Sequence, residues 1–213
     1  ASLISKYFAK KVPFGVEKWG YKNRTIALNE LQERLTLAKK IFIIGASISK
    51  AELASNNLEE GEIIAADGAV GAIDNPQRLA CVVTDFDGQP YLDKVAKLGQ
   101  CFVAHAHGDN LESCLTSLDA WKKLSNPPSL ILSHQVDDLI PGMKNFGGFT
   151  DGDRAVCLAL ALGAPVTKIT LLGFSTTKIG EWSGQTNRRK KLQKLSWMYK
   201  ILTNLGLSEQ IEN

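Results

Sequence analysis

The sequence predicts a doubly wound α/β domain, with a mainly parallel sheet and helices on both faces in a Rossmann-like arrangement. Short apolar runs alternate with amphipathic segments from residue 41 onward. The runs are apolar throughout rather than at alternate positions, which is typical of parallel strands that are covered on both sides. Glycines and polar residues follow most of these runs, as they do at the ligand-binding ends of such strands.

The first part of the chain has a different texture and predicts a separate N-terminal segment over residues 1–40. Residues 1–27 mix aromatic and basic side chains with Pro13, Gly15 and Gly20, and they show no clear period. From Leu28 to Ala38 apolar residues recur at spacings of three and four, which predicts one helix in this segment. We expect residues 41–213 to form the α/β domain that carries any catalytic site.

Within that domain each element follows from a local pattern. The apolar runs predict strands over residues 41–45, 62–67, 81–85, 101–105, 129–134 and 168–173. Leucines and Trp121 share one face of a helix predicted over 110–124. Thr150 or Asp151 can cap a further helix, and a last helix is predicted over 187–205.

The composition excludes several classes of protein. The chain is 44% hydrophobic and 22% charged, as is typical of a soluble globular protein, and its net charge of +3 gives no reason to expect a nucleic-acid partner. No apolar run approaches the ~20 residues that a membrane helix needs. The cysteines show no CxxC spacing, so we expect small buried thiols in a reducing cytoplasm and no zinc site. The oligomeric state stays open, with a homo-oligomer as one option.

Polar residues follow five of the predicted strands at the point where each strand ends. The carboxyl ends of parallel strands lie along one edge of a sheet, so we expect these side chains to converge there. All three histidines of the chain belong to this set. The residues concerned are Gly45, Ser47, Asp67, Asp85, Asp87, His105, His107, Asp109, His134 and Gln135.

The stretch NFGGFTDGDRA, residues 145–155, brings further carboxylates to a predicted helix start. Its two adjacent glycines allow a turn that other residues disfavour. Asp151 and Asp153 then lie in or just before the first turn of the helix. Alone, this pattern is typical of a well-capped helix. Together with the strand-end carboxylates, it predicts a site for a phosphate carried on a magnesium ion.

The expected metal is Mg²⁺, because oxygen ligands predominate and no thiolate lies near them in the sequence. Clustered carboxylates repel each other unless cations neutralise them. The predicted ligands are Asp85, Asp87, Asp109, Asp151 and Asp153, with Asp67 beside them. An alternative is a metal-dependent phosphoesterase that uses His105, His107 and Asp109, which stand in HxHxD spacing.

The phosphate-binding side has weaker signals. GASIS after the first strand has neither the ending of a Walker loop nor the GxGxxG spacing. The basic run RRKK at 188–191 is either a solvated helix face or a cationic arm that closes over a polyphosphate.

Taken together, these stretches resemble the archaeal 6-hydroxymethyl-7,8-dihydropterin pyrophosphokinase family, which is distantly similar in fold to the thiamine pyrophosphokinase catalytic domain. The resemblance runs in order from about residue 41 to 184 and is carried by IIGAS, IIAADGA, VVTDFDG, VAHAHGDN, SHQ, NFGGFTDGDRAV, and LLGF followed by IGEWSG. Two positions depart from the family pattern. GASIS stands where the family reads closer to GAGPS, and Ser175 stands where the family tends to carry an acidic residue.

The resemblance implies a magnesium-dependent transfer of diphosphate from ATP to the hydroxymethyl group of a reduced pterin, on the route to folate or methanopterin. The implied catalytic residues are Asp85, Asp87, Asp151 and Asp153, with His107 as an optional base. Phe146 or Phe149 would stack on the pterin, and Asn110, His134 or Gln135 would contact its edge. The remaining expected contacts to the substrates are Gly45, Ser47, Asp67, Thr150 and Arg154. A non-catalytic nucleotide-binding domain stays a second alternative.

Overall fold

The computed structural model describes residues 2–184 and 187–212. Its strands are β1 (Ile41–Ile44), β2 (Glu62–Ala66), β3 (Leu79–Thr84), β4 (Cys101–Ala106), β5 (Ser129–His134) and β6 (Ile169–Leu172). They form one sheet in the order β5-β4-β3-β2-β1-β6, and each adjacent pair is parallel. The predicted doubly wound α/β fold is therefore confirmed.

Helices cover both faces of this sheet. They are α1 (Ser2–Phe8), α2 (Tyr21–Leu37), α3 (Lys50–Ala54), α4 (Tyr91–Ala96), α5 (Leu111–Trp121), α6 (Asp151–Ala161) and α7 (Arg188–Asn204). Alternate residues of β1 belong to two different hydrophobic clusters: Phe42 packs with residues of α4 and α5, whereas Ile43 packs with residues of α2, α6 and α7. Both faces of the strand are buried, which explains why the sequence shows continuous apolar runs.

The N-terminal segment packs against the same sheet. It contains the predicted helix, which begins earlier than expected at Tyr21, and the additional short helix α1. Trp19 between them is fully buried, and its indole N–H donates a hydrogen bond to the carbonyl oxygen of Pro128 at 2.8 Å, just before β5. The division of the chain at residue 40 stays a prediction.

The strand order creates one reversal that positions the functional site. The chain steps from β1 to β5 on one side and then crosses back to place β6 on the other side of β1. The strand order therefore reverses beside β1, and ligands of such sheets bind near that point, at the carboxyl ends of the strands. The first residues of α6 and one face of α7 line the cleft found there.

Two further features concern the classes of protein considered above. Among the described residues, no helix combines the length and the apolar character needed to cross a membrane. The cysteines Cys81, Cys101, Cys114 and Cys157 all carry free thiols. Burial raises the pKa of Cys114 to about 12, so this thiol is unreactive at neutral pH.

Candidate active site

A cleft of about 340 Å³ opens at the carboxyl ends of the strands. All six strands contribute to its lining through the residues that end or follow them, and α6 and α7 contribute the rest. Most of the residues predicted from the sequence meet here. They are Gly45, Ser47, Asp67, Asp85, Asp87, His107, Asp109, Gln135, Phe149, Thr150, Asp151 and Arg154.

Three carboxylates from distant parts of the chain come together in this cleft. Asp67, Asp85 and Asp151 are half-buried, and one oxygen from each lies within 4.8 Å of the others. The Oδ1 atom of Asp85 is buried and has no hydrogen-bond partner among the described residues. A set of oxygen donors with a buried, unpaired member is the kind of site that suits a hard divalent cation. Asp87 and Asp109 line the same cleft in more exposed positions.

The proximity of these carboxylates changes their pKa values. Burial and the charge of Asp85 raise the pKa of Asp67 to about 7. Burial, Asp85 and Asp67 raise the pKa of Asp151 well above its usual range. Burial also opposes ionisation of Asp85, but His107, the backbone N–H of Asp87 and the charge of Lys194 together lower the pKa of Asp85. A positive charge in the cleft would allow all three groups to ionise.

The side chain of Asp67 is held in place by Thr84 at the end of the adjacent strand. The Thr84 hydroxyl donates to Asp67 Oδ1 at 2.5 Å and accepts the backbone N–H of Phe86 at 2.8 Å. Thr84 is fully buried, so its hydrogen bond with the N–H of Phe86 is shielded from water, and its hydrogen bond to the half-buried Asp67 is partly shielded. Gly88 allows the loops after β2 and β3 to meet, because a Cβ there would lie only 2.8 Å from Asp67 Oδ2.

Asn110 has a structural position rather than the expected one against a ligand. Its Oδ1 accepts the backbone N–H of His107 at 3.1 Å, and its Nδ2 donates to the backbone oxygens of Asp85 at 3.0 Å and His105 at 2.6 Å. The side chain is buried and lies outside the cleft lining. It connects the loops after β3 and β4 and so positions Asp85 and His107.

Asp153 also differs from the sequence-based expectation, because it does not join the other carboxylates. Its two oxygens accept the backbone N–H groups of Phe149 at 2.6 Å and Thr150 at 2.8 Å, which forms a capping box at the start of α6. The side chain is fully buried and lies outside the cleft lining. Residues two apart on a helix face different directions, so only Asp151 reaches the acidic group.

The two histidines of the HxHxD motif also differ in position, and only one of them lines the cleft. His105 is fully buried, with Nδ1 3.0 Å from Ser133 Oγ and Nε2 3.4 Å from Gln135 Oε1. Burial and the charge of Arg154 lower the pKa of His105 to about 3, so its ring is neutral. His107, in contrast, lines the cleft with Nε2 3.6 Å from Asp85 Oδ2. His134 is buried outside the cleft lining.

Three of the described lysines line the cleft, and the sequence patterns singled out only one of them, Lys191 of the basic run at 188–191. Lys191, Lys194, Leu195 and Met198 face it from α7 at spacings of three and four, and Lys178 faces it from the loop after β6. The helical period, started from Lys191, would have identified Lys194. Lys178 stands in an irregular loop and gave no periodic signal. The other members of the basic run, Arg188, Arg189 and Lys190, are exposed outside the cleft lining.

The loop after β6 is fastened to the loop after β1. The indole N–H of Trp182 donates to the backbone oxygen of Ile48 at 3.2 Å, and Ser47 Oγ donates to the backbone oxygen of Lys178 at 3.3 Å. Gly180 permits this contact, because a Cβ there would lie 1.8 Å from the backbone oxygen of Ala46. Trp182 belongs to the quoted IGEWSG stretch, but only the structure shows that it holds the two loops together.

No model of a protein family matches the chain. Three archaeal proteins named 6-hydroxymethyl-7,8-dihydropterin pyrophosphokinase are similar to it. The Pyrococcus furiosus protein is 32% identical over 188 residues, which cover 83% of this chain and 77% of the relative. The Methanothermobacter thermautotrophicus protein is 39% identical over 114 residues, or 53% of this chain and 45% of the relative. The Methanocaldococcus jannaschii protein is 32% identical over 158 residues, or 70% of this chain and 64% of the relative.

Proposed function

Because the chain belongs to the 6-hydroxymethyl-7,8-dihydropterin pyrophosphokinase family, we propose that it transfers a diphosphate group from ATP to the hydroxymethyl group of this reduced pterin. AMP is the second product. The observation that carries the proposal is the meeting of Asp67, Asp85 and Asp151 within 4.8 Å in a cleft that is also lined by lysines. The product would enter folate or methanopterin biosynthesis.

Asp67, Asp85 and Asp151 are the residues that would hold a magnesium ion, with Asp87 and Asp109 beside them. Three features support this fit: the donors are all oxygens, Asp85 Oδ1 is buried without a partner among the described residues, and burial together with the neighbouring carboxylates raises the pKa values of Asp67 and Asp151. When bound, the ion neutralises charge on the phosphates that are transferred. Asp153 has no part in this site, since its oxygens are engaged in capping α6.

The lysines of the cleft bind the phosphate oxygens of ATP. Lys191 and Lys194 lie close enough to the acidic residues to influence the pKa of Asp87, so a polyphosphate between them contacts both charges. Gly45 and Ser47 lie where the chain reverses its strand order, and in open α/β sheets nucleotides bind at that point. Lys178 extends the basic surface on the same side.

In the transfer step, the hydroxymethyl oxygen of the pterin attacks the β-phosphorus of ATP and forms the new P–O bond. The bond from the β-phosphorus to the oxygen that bridges to the α-phosphorus breaks, and AMP leaves with that electron pair. The hydroxyl proton passes to the imidazole of His107, and Asp85, whose Oδ2 lies 3.6 Å from Nε2, stabilises the resulting imidazolium. Most of the acceleration comes from positioning and from neutralised charge.

The direct test is release of AMP from ATP with a panel of acceptors: 6-hydroxymethyl-7,8-dihydropterin, thiamine and water. We expect AMP to form in the presence of Mg²⁺ and the pterin only. Equal release of AMP with water alone would favour a phosphohydrolase. Release of AMP with thiamine would identify thiamine as the acceptor instead of the pterin. ATP binding without AMP formation for any acceptor would favour a non-catalytic nucleotide-binding domain.

We propose a cytoplasmic location, which the free thiols support because they suit a reducing compartment. A homo-oligomer stays a prediction, and light scattering of the purified chain tests it.

A further inference from the structure

We propose that Phe149 and Gln135 form the subsite that binds the flat ring of the acceptor, an inference that rests on the proposed function. The ligand class is a planar nitrogen heterocycle with a hydrogen-bond acceptor on its edge, as in a pterin. Phe149 supplies the stacking surface, and the amino group of Gln135 donates to the ring edge. The two residues come from adjoining parts of the cleft, at the start of α6 and after β5.

The backbone around Phe149 holds its ring at the mouth of the cleft. Its N–H donates to Asp153 Oδ2 at 2.6 Å, and its carbonyl oxygen accepts from Arg154 Nη2 at 3.0 Å. Gly148 has a φ of +85°, and a Cβ there would lie 2.5 Å from the Cα of Arg154, so the turn requires glycine. The phenyl ring nevertheless remains 46% exposed. A rigid turn that presents an aromatic face to a polar cleft suits stacking with a ligand ring.

Trp197, on α7 and outside the cleft lining, packs its ring beside that of Phe149. Its ring centroid lies 6.5 Å from that of Phe149, and its side chain is 54% exposed. Lys200 covers Trp197 with its ammonium group 4.4 Å from the ring centroid. The next residue, Met198, lines the cleft and adds an apolar side chain to it.

The orientation of the Gln135 amide follows from the donors around it. Arginine only donates hydrogen bonds, so the atom 3.4 Å from Arg154 Nη2 is the amide oxygen. His105 Nε2 lies 3.4 Å from the same oxygen and therefore carries the ring proton, while Nδ1 accepts from Ser133 Oγ at 3.0 Å. The amino group of Gln135 has no partner within the part of the chain that the structure describes, and this exposed side chain lines the cleft.

The position of this subsite favours the acceptor ring over the adenine of ATP. Gln135 follows β5. The neighbouring strand in the sheet is β4, which leads to the proposed proton acceptor His107. Gly45 and Lys178 follow β1 and β6, at the opposite end of the strand order. Of the other residues considered for ring contacts, Phe146, Asn110 and His134 all lie outside the cleft lining.

The test measures binding of 6-hydroxymethyl-7,8-dihydropterin by fluorescence titration without ATP, and then KM for each substrate. We expect Phe149→Ala to weaken pterin binding roughly 10- to 100-fold, as loss of a stacking platform does. Gln135→Glu keeps an oxygen for Arg154 and His105 but removes the amino group, so we expect a loss of about tenfold. In both variants KM for ATP should stay close to that of the wild type. Phe149→Trp keeps an aromatic ring at this position and should bind the pterin like the wild type.

Tyr21→Ala and Gln193→Glu are matched controls, because both side chains are exposed and lie outside the cleft lining. Thermal unfolding confirms that each variant is folded, and Phe149→Leu replaces Phe149→Ala if the smaller residue prevents folding. Unchanged pterin binding in the Phe149 and Gln135 variants would overturn the proposal. A raised KM for ATP with unchanged pterin binding would also overturn it, since the ring would then be adenine. A wild-type protein that binds pterin through Phe149 but forms no AMP would refute the transferase and leave the subsite standing.

Discussion

The two walls of the cleft carry opposite charges and are built in different ways. The acidic wall, Asp67, Asp85 and Asp151, is half-buried, and hydrogen bonds from the buried side chains of Thr84 and Asn110 hold Asp67 and the loop of Asp85. The basic wall, Lys178, Lys191 and Lys194, consists of long side chains, of which Lys178 and Lys194 are exposed. In the proposed function, the geometry of the cation site would therefore be set by the fold, whereas the lysines would adjust to the phosphates of the ligand.

The largest expected effect comes from the acidic wall itself. Asp151→Asn removes one charge from the proposed cation site, so we expect AMP formation to fall roughly 100- to 1000-fold. Asp153→Asn should instead lower the free energy of unfolding by about 1 kcal/mol, because it weakens the cap of α6. Titration with Mn²⁺ and urea unfolding separate the two outcomes.

Asp74→Asn is the matched control, since Asp74 is exposed and lies outside the cleft lining. Near-normal Mn²⁺ affinity in Asp151→Asn would remove this residue from the cation site. An equal loss of affinity in Asp153→Asn would show that the contrast between the two carboxylates is wrong.

The next prediction tests whether the cation affinity of the acidic wall depends on the hydrogen bond from the buried Thr84. Thr84→Val keeps the shape of the side chain but removes the hydroxyl that donates to Asp67. We expect Mn²⁺ affinity, measured without nucleotide, to fall roughly 10- to 100-fold, as it does when a partner of a metal ligand is lost. Thr84→Ser keeps the hydroxyl and should bind Mn²⁺ like the wild type. In an Asp67→Asn background, a further loss on adding Thr84→Val would show that Thr84 does not act through Asp67.

A smaller effect is expected on the basic wall. Lys194→Met removes one proposed phosphate contact from an exposed side chain, so we expect KM for ATP to rise about tenfold, as when a hydrogen bond to a charged group is lost. The difference from the wild type should shrink at high salt, because exposed charges are screened. Lys190→Met on the same helix is the control, as its side chain lies outside the cleft lining. Equal KM values for the wild type and Lys194→Met would show that Lys194 does not contact the phosphates and would leave this role to Lys178 and Lys191.

The smallest effect concerns the pH dependence of stability. The raised pKa of Asp67 means that the folded protein binds this proton more tightly than the unfolded chain does. The stabilising contribution is therefore complete below a pH of about 4 and is lost as the pH rises through about 7. We expect urea unfolding of the metal-free protein to show this decline, and Asp67→Asn to show a flatter profile. Parallel profiles for the two proteins would contradict the assignment.

The fold could be predicted largely because its strands are buried on both faces. β1 was expected over 41–45 and spans Ile41–Ile44, and β5 was predicted with the bounds that it has. The start of α2 was placed too late, since its first turns bury few apolar residues and include the buried Arg24. The short helix α1 has no clear apolar period, so the sequence did not indicate it.

The site was predictable where topology alone brings residues together. Asp67 and Asp85 follow adjacent parallel strands, so their proximity required no knowledge of side-chain packing. The different positions of Asp151 and Asp153 depend on which carboxylate caps the helix, and both residues suit that position in the sequence. The position of Lys178 depends on an irregular loop, for which no periodic pattern exists.

The strand order has a consequence for synthesis of the protein on the ribosome. Every residue of the acidic wall lies before residue 152, whereas β6, Lys178 and α7 come later in the chain. Domains generally fold as units, so the sheet and its cleft are complete only once these last elements have been translated. A chain that stopped before β6 would carry the proposed cation ligands but would lack the lysines of the basic wall.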